Sequence, residues 1–182
     1  MSLLTAEALV KTYRGARVPA VAGVDLSIAR GEFFGLLGPN GAGKTTTLSM
    51  LCGLVTPTGG RVRVDGRDLS DPAARRMLGL VPQDIGLYAT LTVRENLRYF
   101  GRMHGLGGDR LDARVETCLA MVALVDAADR RVGELSGGMK RRANLAAGVV
   151  HEPAILLLDE PTVGVDAQSR NAIFDTLSVL TA

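Results

Sequence analysis

Several stretches of this chain carry residue types at spacings that chemistry requires. Gly38-Pro39-Asn40-Gly41-Ala42-Gly43-Lys44-Thr45, followed by Thr46, fits the pattern G-x-x-x-x-G-K-[ST]. In that pattern glycines let backbone N–H groups curl around phosphate oxygens, and a helix N-terminus adds its positive end. Lys44 then reaches the terminal phosphates and the Thr45 hydroxyl is suited to Mg²⁺. A glycine turn that merely joins strand to helix is the bland alternative, and the complete motif in its strand-to-helix context weighs against it. A second stretch, Ile155-Leu156-Leu157-Leu158-Asp159-Glu160, ends an apolar run with two carboxylates. Ligands of open α/β sheets collect at such strand ends, and two adjacent buried acids without a purpose are costly. Asp159 can hold Mg²⁺ through water, and Glu160 can polarise the water that attacks a γ-phosphorus. Alone, the pair would be an ordinary strand end; beside the glycine loop it is more.

Three further features are weaker. Ser136-Gly137-Gly138 combines a favoured helix N-cap with common linker residues, so by itself it reads as structural. Free N–H groups at a helix start, glycines that permit close approach, and Lys140-Arg141-Arg142 just inside make it a second candidate anion site. Arg141 and Arg142 are expected on the solvated face of that helix. Gln83 ends an apolar run and can bond both Mg²⁺ and an attacking water, although a surface glutamine after proline fits equally well. Tyr13, in the turn-rich stretch Lys11-Thr12-Tyr13-Arg14-Gly15, can stack on an adenine ring; most lone tyrosines only pack.

These residues need elements to position them. Glu32-Phe33-Phe34-Gly35-Leu36-Leu37 predicts a short buried strand leading into the glycine loop. Leu48, Leu51 and Val55 then keep helical spacing from Thr45, and Gly53 is placed to end the helix. Arg61-Val62-Arg63-Val64 alternates in the strand period ahead of the hairpin signal Asp65-Gly66. Leu78 to Val81 is another strand-like run. Beyond Pro82-Gln83 the period becomes helical: Thr92 and Glu95 form a capping box ahead of Leu97 and Phe100, and Asp109 precedes Leu111, Val115, Leu119 and Val122. Ser136 opens a third helix carrying Met139, Ala143, Ala146 and Val150. Ala154 to Leu158 predicts a central parallel strand covered on both faces. The whole is an α/β core from about Gly31 to Gln83, resumed at Ala154, with a helical insertion between.

Composition bounds the remaining classes. With 182 residues, 47% hydrophobic and 22% charged, the chain has the material for one ordinary soluble domain, not a disordered tail or a disulfide-stapled mini-protein. The longest apolar stretch, around Leu145 to Leu158, is broken by His151, Glu152 and Pro153, short of the ~18 to 20 residues a membrane span needs. The net charge of +2 arises from 21 basic and 19 acidic residues scattered along the chain, which gives nucleic-acid binding no support. Cys52 and Cys118 lie singly in apolar segments as reduced core thiols would, pointing to the cytoplasm, and the N-terminus lacks the features of a secretory signal. One imbalance stands out: three lysines, Lys11, Lys44 and Lys140, against eighteen arginines.

In this order and spacing the motifs resemble the nucleotide-binding subunit of an ATP-binding cassette (ABC) transporter over almost the whole chain. The resemblance implies a P-loop NTPase core with a parallel central sheet, an N-terminal antiparallel β subdomain and a helical insertion, with core segments at about 1–83 and 154–182 and the insertion at about 84–153. Tyr13 matches the aromatic A-loop residue, Gly38 to Thr46 the Walker A loop, Gln83 the Q-loop, and Leu135-Ser136-Gly137-Gly138-Met139 the family signature. Ile155 to Asp159 matches Walker B, Glu160 the catalytic base, and Pro161 to Asp166 the D-loop. By resemblance the ligands are ATP and Mg²⁺, the metal being held by Thr45, Gln83 and Asp159. Two copies would stack head to tail, each ATP lying between Walker A of one and the signature of the other. The insertion would receive a coupling helix from a separate integral-membrane permease, placing the subunit peripherally on the cytoplasmic face of the plasma membrane. Met139 together with Pro161 to Ala167 looks like the bacterial exporter branch that handles drugs, antibiotics, lipids or glycans.

Family cassettes continue past the D-loop to further strands and a switch histidine. The chain here stops at Ala182, and His104 and His151 both precede Walker B, so the expectation is a cassette lacking its C-terminal strands. The alternatives are a soluble, non-transport ABC ATPase and a truncated module that binds ATP without turning it over. A GTPase is excluded because no lysine follows an asparagine, so the guanine-reading motif is missing. A small-molecule kinase would want a substrate site and lid arginines instead of a water-activating Glu160 and a second glycine anion site.

Overall fold

The computed structural model describes residues 2–163 and 167–181. The chain divides into two compact units, essentially residues 1–78 and 79–180. Within the first, strands β1 (Ser2–Lys11), β2 (Val21–Ala29), β3 (Gly59–Val64) and β4 (Arg67–Asp68) form an antiparallel sheet in the order β2-β1-β3-β4. Alternation sets its inner face: Leu4 sits opposite Val64 and Ala6 opposite Val62, and all four are buried. Val64 pairs with Arg67 across Asp65 (φ 50°) and Gly66 (φ 74°), the two-residue hairpin expected from the sequence. A register shift around Ala8 (φ 47°) bends β1 before it delivers Lys11, Thr12 and Tyr13.

Two helices complete this unit. Helix α1 (Lys44–Leu51) follows the glycine loop, buries Thr47, Met50 and Leu51, and ends at Cys52 with Gly53 at φ 76°. Helix α2 (Pro72–Arg76) is capped by Asp71, whose carboxylate accepts from the Ala73 N–H at 2.8 Å. The run from Glu32 to Leu37 departs from expectation. It is not a strand but an irregular segment, with Phe33 69% and Leu37 93% exposed. A buried strand needs hydrogen-bonded neighbours, and among the described residues the sheet of this unit pairs β1 to β4 and no other segment. Apolar content alone therefore misplaced it.

The second unit sets a small parallel sheet of β5 (Leu78–Val81) and β6 (Ile155–Leu158) beside helices α3 (Val93–Met103), α4 (Gly108–Met121), α5 (Gly137–Val149) and α6 (Ala167–Thr181). Thr92 and Glu95 make both bonds of the capping box at the start of α3. The predicted apolar positions Leu97, Leu111, Val115, Leu119 and Val122 are all buried in one cluster with α5. A second cluster joins Val81 and Leu145 to Ile173 and Leu177 of α6, with Leu156 and Leu158 packed against it. β5 and α5 approach so closely that a Cβ at Gly148 would meet the Val81 side chain at 2.5 Å, and one at Gly79 would meet the Gly148 carbonyl at 2.3 Å. Both thiols are lone, and burial pushes Cys52 and Cys118 above the ordinary cysteine value. Among the described residues no helix is long and apolar enough to cross a membrane.

Candidate functional site: a phosphate-binding loop and an acidic strand end

In the first unit the glycine loop is shaped by its own backbone. The Ala42 N–H bonds the Pro39 carbonyl at 3.2 Å, while Gly41 and Gly43 both take φ of 83°. Gly43 cannot be replaced without movement, since a Cβ there would lie 2.3 Å from the Ala20 carbonyl oxygen and 3.2 Å from Val21. It is also the N-cap of α1, and no side chain caps that helix and no acidic residue sits in its first turn. The positive helix end is thus presented through bare backbone, as an anion site requires. Lys44 folds back over the loop, its Nζ donating to the carbonyls of Gly38 at 2.8 Å and Pro39 at 2.9 Å. Tyr13 comes to the same place: its hydroxyl lies 3.4 Å from Thr46 Oγ1. The structure therefore brings Tyr13, Gly38, Pro39, Asn40, Gly41, Ala42, Gly43, Lys44, Thr45 and Thr46 into one neighbourhood, as a nucleotide site needs.

The second unit holds the acids. Asp159 continues the strand end, its N–H donating to the Val81 carbonyl at 3.0 Å, and it is buried. Glu160 follows at φ 47° and is half-buried, its carbonyl accepting from the Val163 N–H at 3.2 Å. Asp166, the last residue of the proposed D-loop, lies outside the described residues. Ser136 caps α5 by accepting from the Met139 N–H at 3.3 Å. Gly137 is exposed, and a Cβ there would meet nothing within 4 Å. Neither space nor backbone conformation inside this chain demands a glycine at 137.

The expectation for Arg141 and Arg142 is corrected by the structure. Arg141 is buried, 7% exposed, and its guanidinium donates to the carbonyls of Pro82, Gln83 and Val163. Arg142 donates to the carbonyls of Val122 at 2.7 Å and Ala123 at 2.9 Å, and Lys140 to that of Gly133 at 3.1 Å. None of these cations is a solvated ornament; each donates to backbone carbonyls of other segments of the chain. Asn144 adds to the clamp, donating to the Pro82 carbonyl at 3.2 Å and accepting from the Gly86 N–H at 3.2 Å. The exposed Gln83 is therefore held by its backbone against α5.

Asn96, fully buried, is a further polar residue that sequence reading missed. Its amide accepts from the Tyr88 N–H at 2.8 Å and donates to the carbonyls of Tyr88 and Thr92 at 3.1 and 2.8 Å. It fixes the loop that exposes Tyr88, whose hydroxyl donates to Tyr99 at 3.1 Å; that bond holds the Tyr88 phenol above its ordinary value. The available signal for Arg141 and Asn144 was their spacing of three on a helix otherwise rich in Ala, Leu and Gly. Their partners, about 60 residues away, left no trace in the local pattern.

A glycine loop that closes onto a helix N-terminus, with a lysine in the first turn, and a buried strand end carrying Asp159-Glu160 define the class of P-loop nucleotide-binding proteins. Residues 21–163 match the family model described as ABC transporter. The chain is 44% identical over 180 residues to the linearmycin resistance ATP-binding protein LnrL of Bacillus subtilis, covering 98% of this chain and 57% of that one. It is 48% identical over 164 residues to the Nod factor export ATP-binding protein I of Paraburkholderia xenovorans, covering 89% and 54%. A solved ATP-binding cassette dimer in a post-hydrolysis state bound to ADP and Pi superposes with a TM-score of 0.87 at 30% identity, over 98% of this chain and 82% of that one. The chain belongs to the ABC transporter ATP-binding family. It spans about half the length of the curated relatives it matches.

Proposed function

We propose that this chain is the ATP-binding and ATP-hydrolysing part of an exporter-type ABC transporter, working as a dimer beneath a separate membrane permease. The observation that carries the reading is the first unit's loop: a glycine that cannot be replaced without movement, a lysine folded over the loop mouth, and a tyrosine tied to the helix start. In this reading Tyr13 receives the adenine, the backbone from Gly38 to Thr46 and Lys44 bind the phosphates, and Glu160 accepts a proton from the attacking water. Arg141 sets the backbone of Gln83 so that its side chain can orient that water. Thr45 and the buried Asp159 each offer a hard oxygen donor of the kind Mg²⁺ prefers, and Gln83 offers a neutral one. Bound there, Mg²⁺ would neutralise charge on the phosphates.

Two features of the second unit support the partners. The uncrowded Gly137 beside the N-cap Ser136 suits close approach by a nucleotide held on a second copy. Exposed Tyr88 and Tyr99, with ring centroids 4.9 Å apart, and Met103, also exposed, form an apolar and aromatic face suited to a permease helix at the cytoplasmic membrane surface. The relatives named for linearmycin resistance and Nod factor export support export as the direction of transport. The reading is tested by phosphate release from MgATP in the wild type and in Glu160→Gln. Release that depends on Glu160 supports it. Binding with no release in either protein would favour a nucleotide-binding module without turnover, and equal release in both would overturn the role of Glu160.

A further inference from the structure

Lys11 is one of only three lysines in a chain with eighteen arginines, and it takes no part in the phosphate loop. Its Nζ donates to the Thr56 carbonyl at 2.6 Å, which pins the ammonium, and it stands over the Tyr13 ring at 5.3 Å from the centroid. That distance is inside the range of a cation–π contact. The backbone between them is fixed as well. The Thr12 N–H donates to Thr58 Oγ1 at 3.1 Å, and Thr58 in turn donates to the Val10 carbonyl through its hydroxyl at 3.1 Å and its N–H at 2.8 Å. Tyr13 is thus gripped at two points, its hydroxyl near Thr46 and one ring face by Lys11. Yet the residue as a whole is 46% exposed.

We infer that Lys11 is a positioning residue for base recognition: it occupies one face of Tyr13 and so presents the other, electron-depleted face to a purine ring. This rests on the reading of Tyr13 as the adenine-stacking residue. An ammonium held over one face draws π density toward itself, and the opposite face becomes a better partner for an electron-rich base. The same contact restricts a half-exposed side chain that would otherwise lose rotamer freedom when a base lands on it. Because Lys11 reaches Tyr13 and not the phosphate loop, its contribution belongs to the base and not to the triphosphate.

The chain has no tryptophan and three tyrosines, Tyr13, Tyr88 and Tyr99. In a Tyr88→Phe/Tyr99→Phe background, emission therefore reports on Tyr13 alone, and its quenching follows the arrival of a base. Binding of MgATP and of inorganic tripolyphosphate is measured in this background, then after adding Lys11→Met, Lys11→Arg or Tyr13→Leu, by quenching where Tyr13 remains and by calorimetry throughout. Lys11→Met should weaken MgATP binding about two- to five-fold, the range of an exposed cation–π contact, and leave tripolyphosphate unchanged. Lys11→Arg, which keeps a cation over the ring, should restore most of the loss. Equal loss for MgATP and tripolyphosphate in Lys11→Met, or no rescue by arginine, would reduce Lys11 to a structural tether and overturn the inference. Unchanged MgATP affinity in Lys11→Met, with Tyr13→Leu impaired, would refute the lysine's role while leaving the tyrosine's intact. Unchanged affinity in Tyr13→Leu would overturn both.

Discussion

Arg141→Met is the perturbation for which the structure gives the most definite expectation. The guanidinium is buried and donates to three backbone carbonyls, those of Pro82, Gln83 and Val163. A hydrogen bond from a charged donor contributes about 1.5 to 3 kcal/mol net, so three would naively reach about 5 to 9 kcal/mol. The surroundings lower that figure. The Pro82 carbonyl keeps its bond from Asn144, and Gln83 and Val163 are exposed, so water can take over at both. Methionine also fills much of the stem volume and removes the cost of desolvating a cation. What remains is the equivalent of one or two charged bonds, about 2 to 4 kcal/mol. Urea unfolding followed by tyrosine emission in a Tyr13→Phe background reads the second unit alone, because Tyr88 and Tyr99 both lie there. The exposed Arg102→Met serves as a surface control, expected within about 0.5 kcal/mol of wild type. If Arg141→Met falls within the same margin, the clamp contributes nothing and the reasoning fails.

Other outcomes follow from the same geometry. Lys44→Ala should weaken MgATP binding by about 10- to 150-fold in calorimetry, the loss of a charge-assisted contact of about 1.5 to 3 kcal/mol. Gly43→Ala combines φ of 83° with a Cβ 2.3 Å from the Ala20 carbonyl, and should destabilise the first unit by at least about 2 kcal/mol in the urea transition while abolishing phosphate binding. Burial holds the His104 imidazole below its ordinary value, and its ring stacks on that of His151 with centroids 3.6 Å apart. The unfolded chain therefore takes up this proton first, so His104 contributes stability that is present above about pH 6.5 and lost as pH falls through the lower folded value. The second unit's urea midpoint should drop between pH 7.5 and 5.5, and His104→Gln should flatten the drop. Ser136→Arg should leave MgATP binding by a single chain intact and prevent ATP-induced dimers in light scattering.

What was legible in the sequence was local. The glycine loop, the Asp65-Gly66 hairpin and the Thr92/Glu95 capping box are each written in a few consecutive residues, because each satisfies its backbone groups with its own neighbours. What stayed hidden was set by distant partners. Glu32 to Leu37 carries the apolar content of a strand, but pairing decides strands and no strand among the described residues of its unit takes it up. Arg141 looked like one charge among three at a helix start, and only the carbonyls of Pro82 and Gln83, nearly sixty positions earlier, explain why it is buried. Lys11 and Tyr13 were both visible in one turn-rich stretch. That the lysine stands over the ring depends on Thr56, which α1 delivers from the far side of the glycine loop.

Glu160 adopts φ of 47°, a left-handed conformation that costs a residue with a side chain about 1 to 2 kcal/mol. Glycine would be relieved of that strain, and so would gain resistance to unfolding at the one position where the proposed reaction needs a carboxylate. The two demands cannot be met by the same residue. A laboratory selection for heat-resistant variants of this chain, applied without a selection for phosphate release, would drift toward glycine at position 160 and yield a sturdier, silent protein.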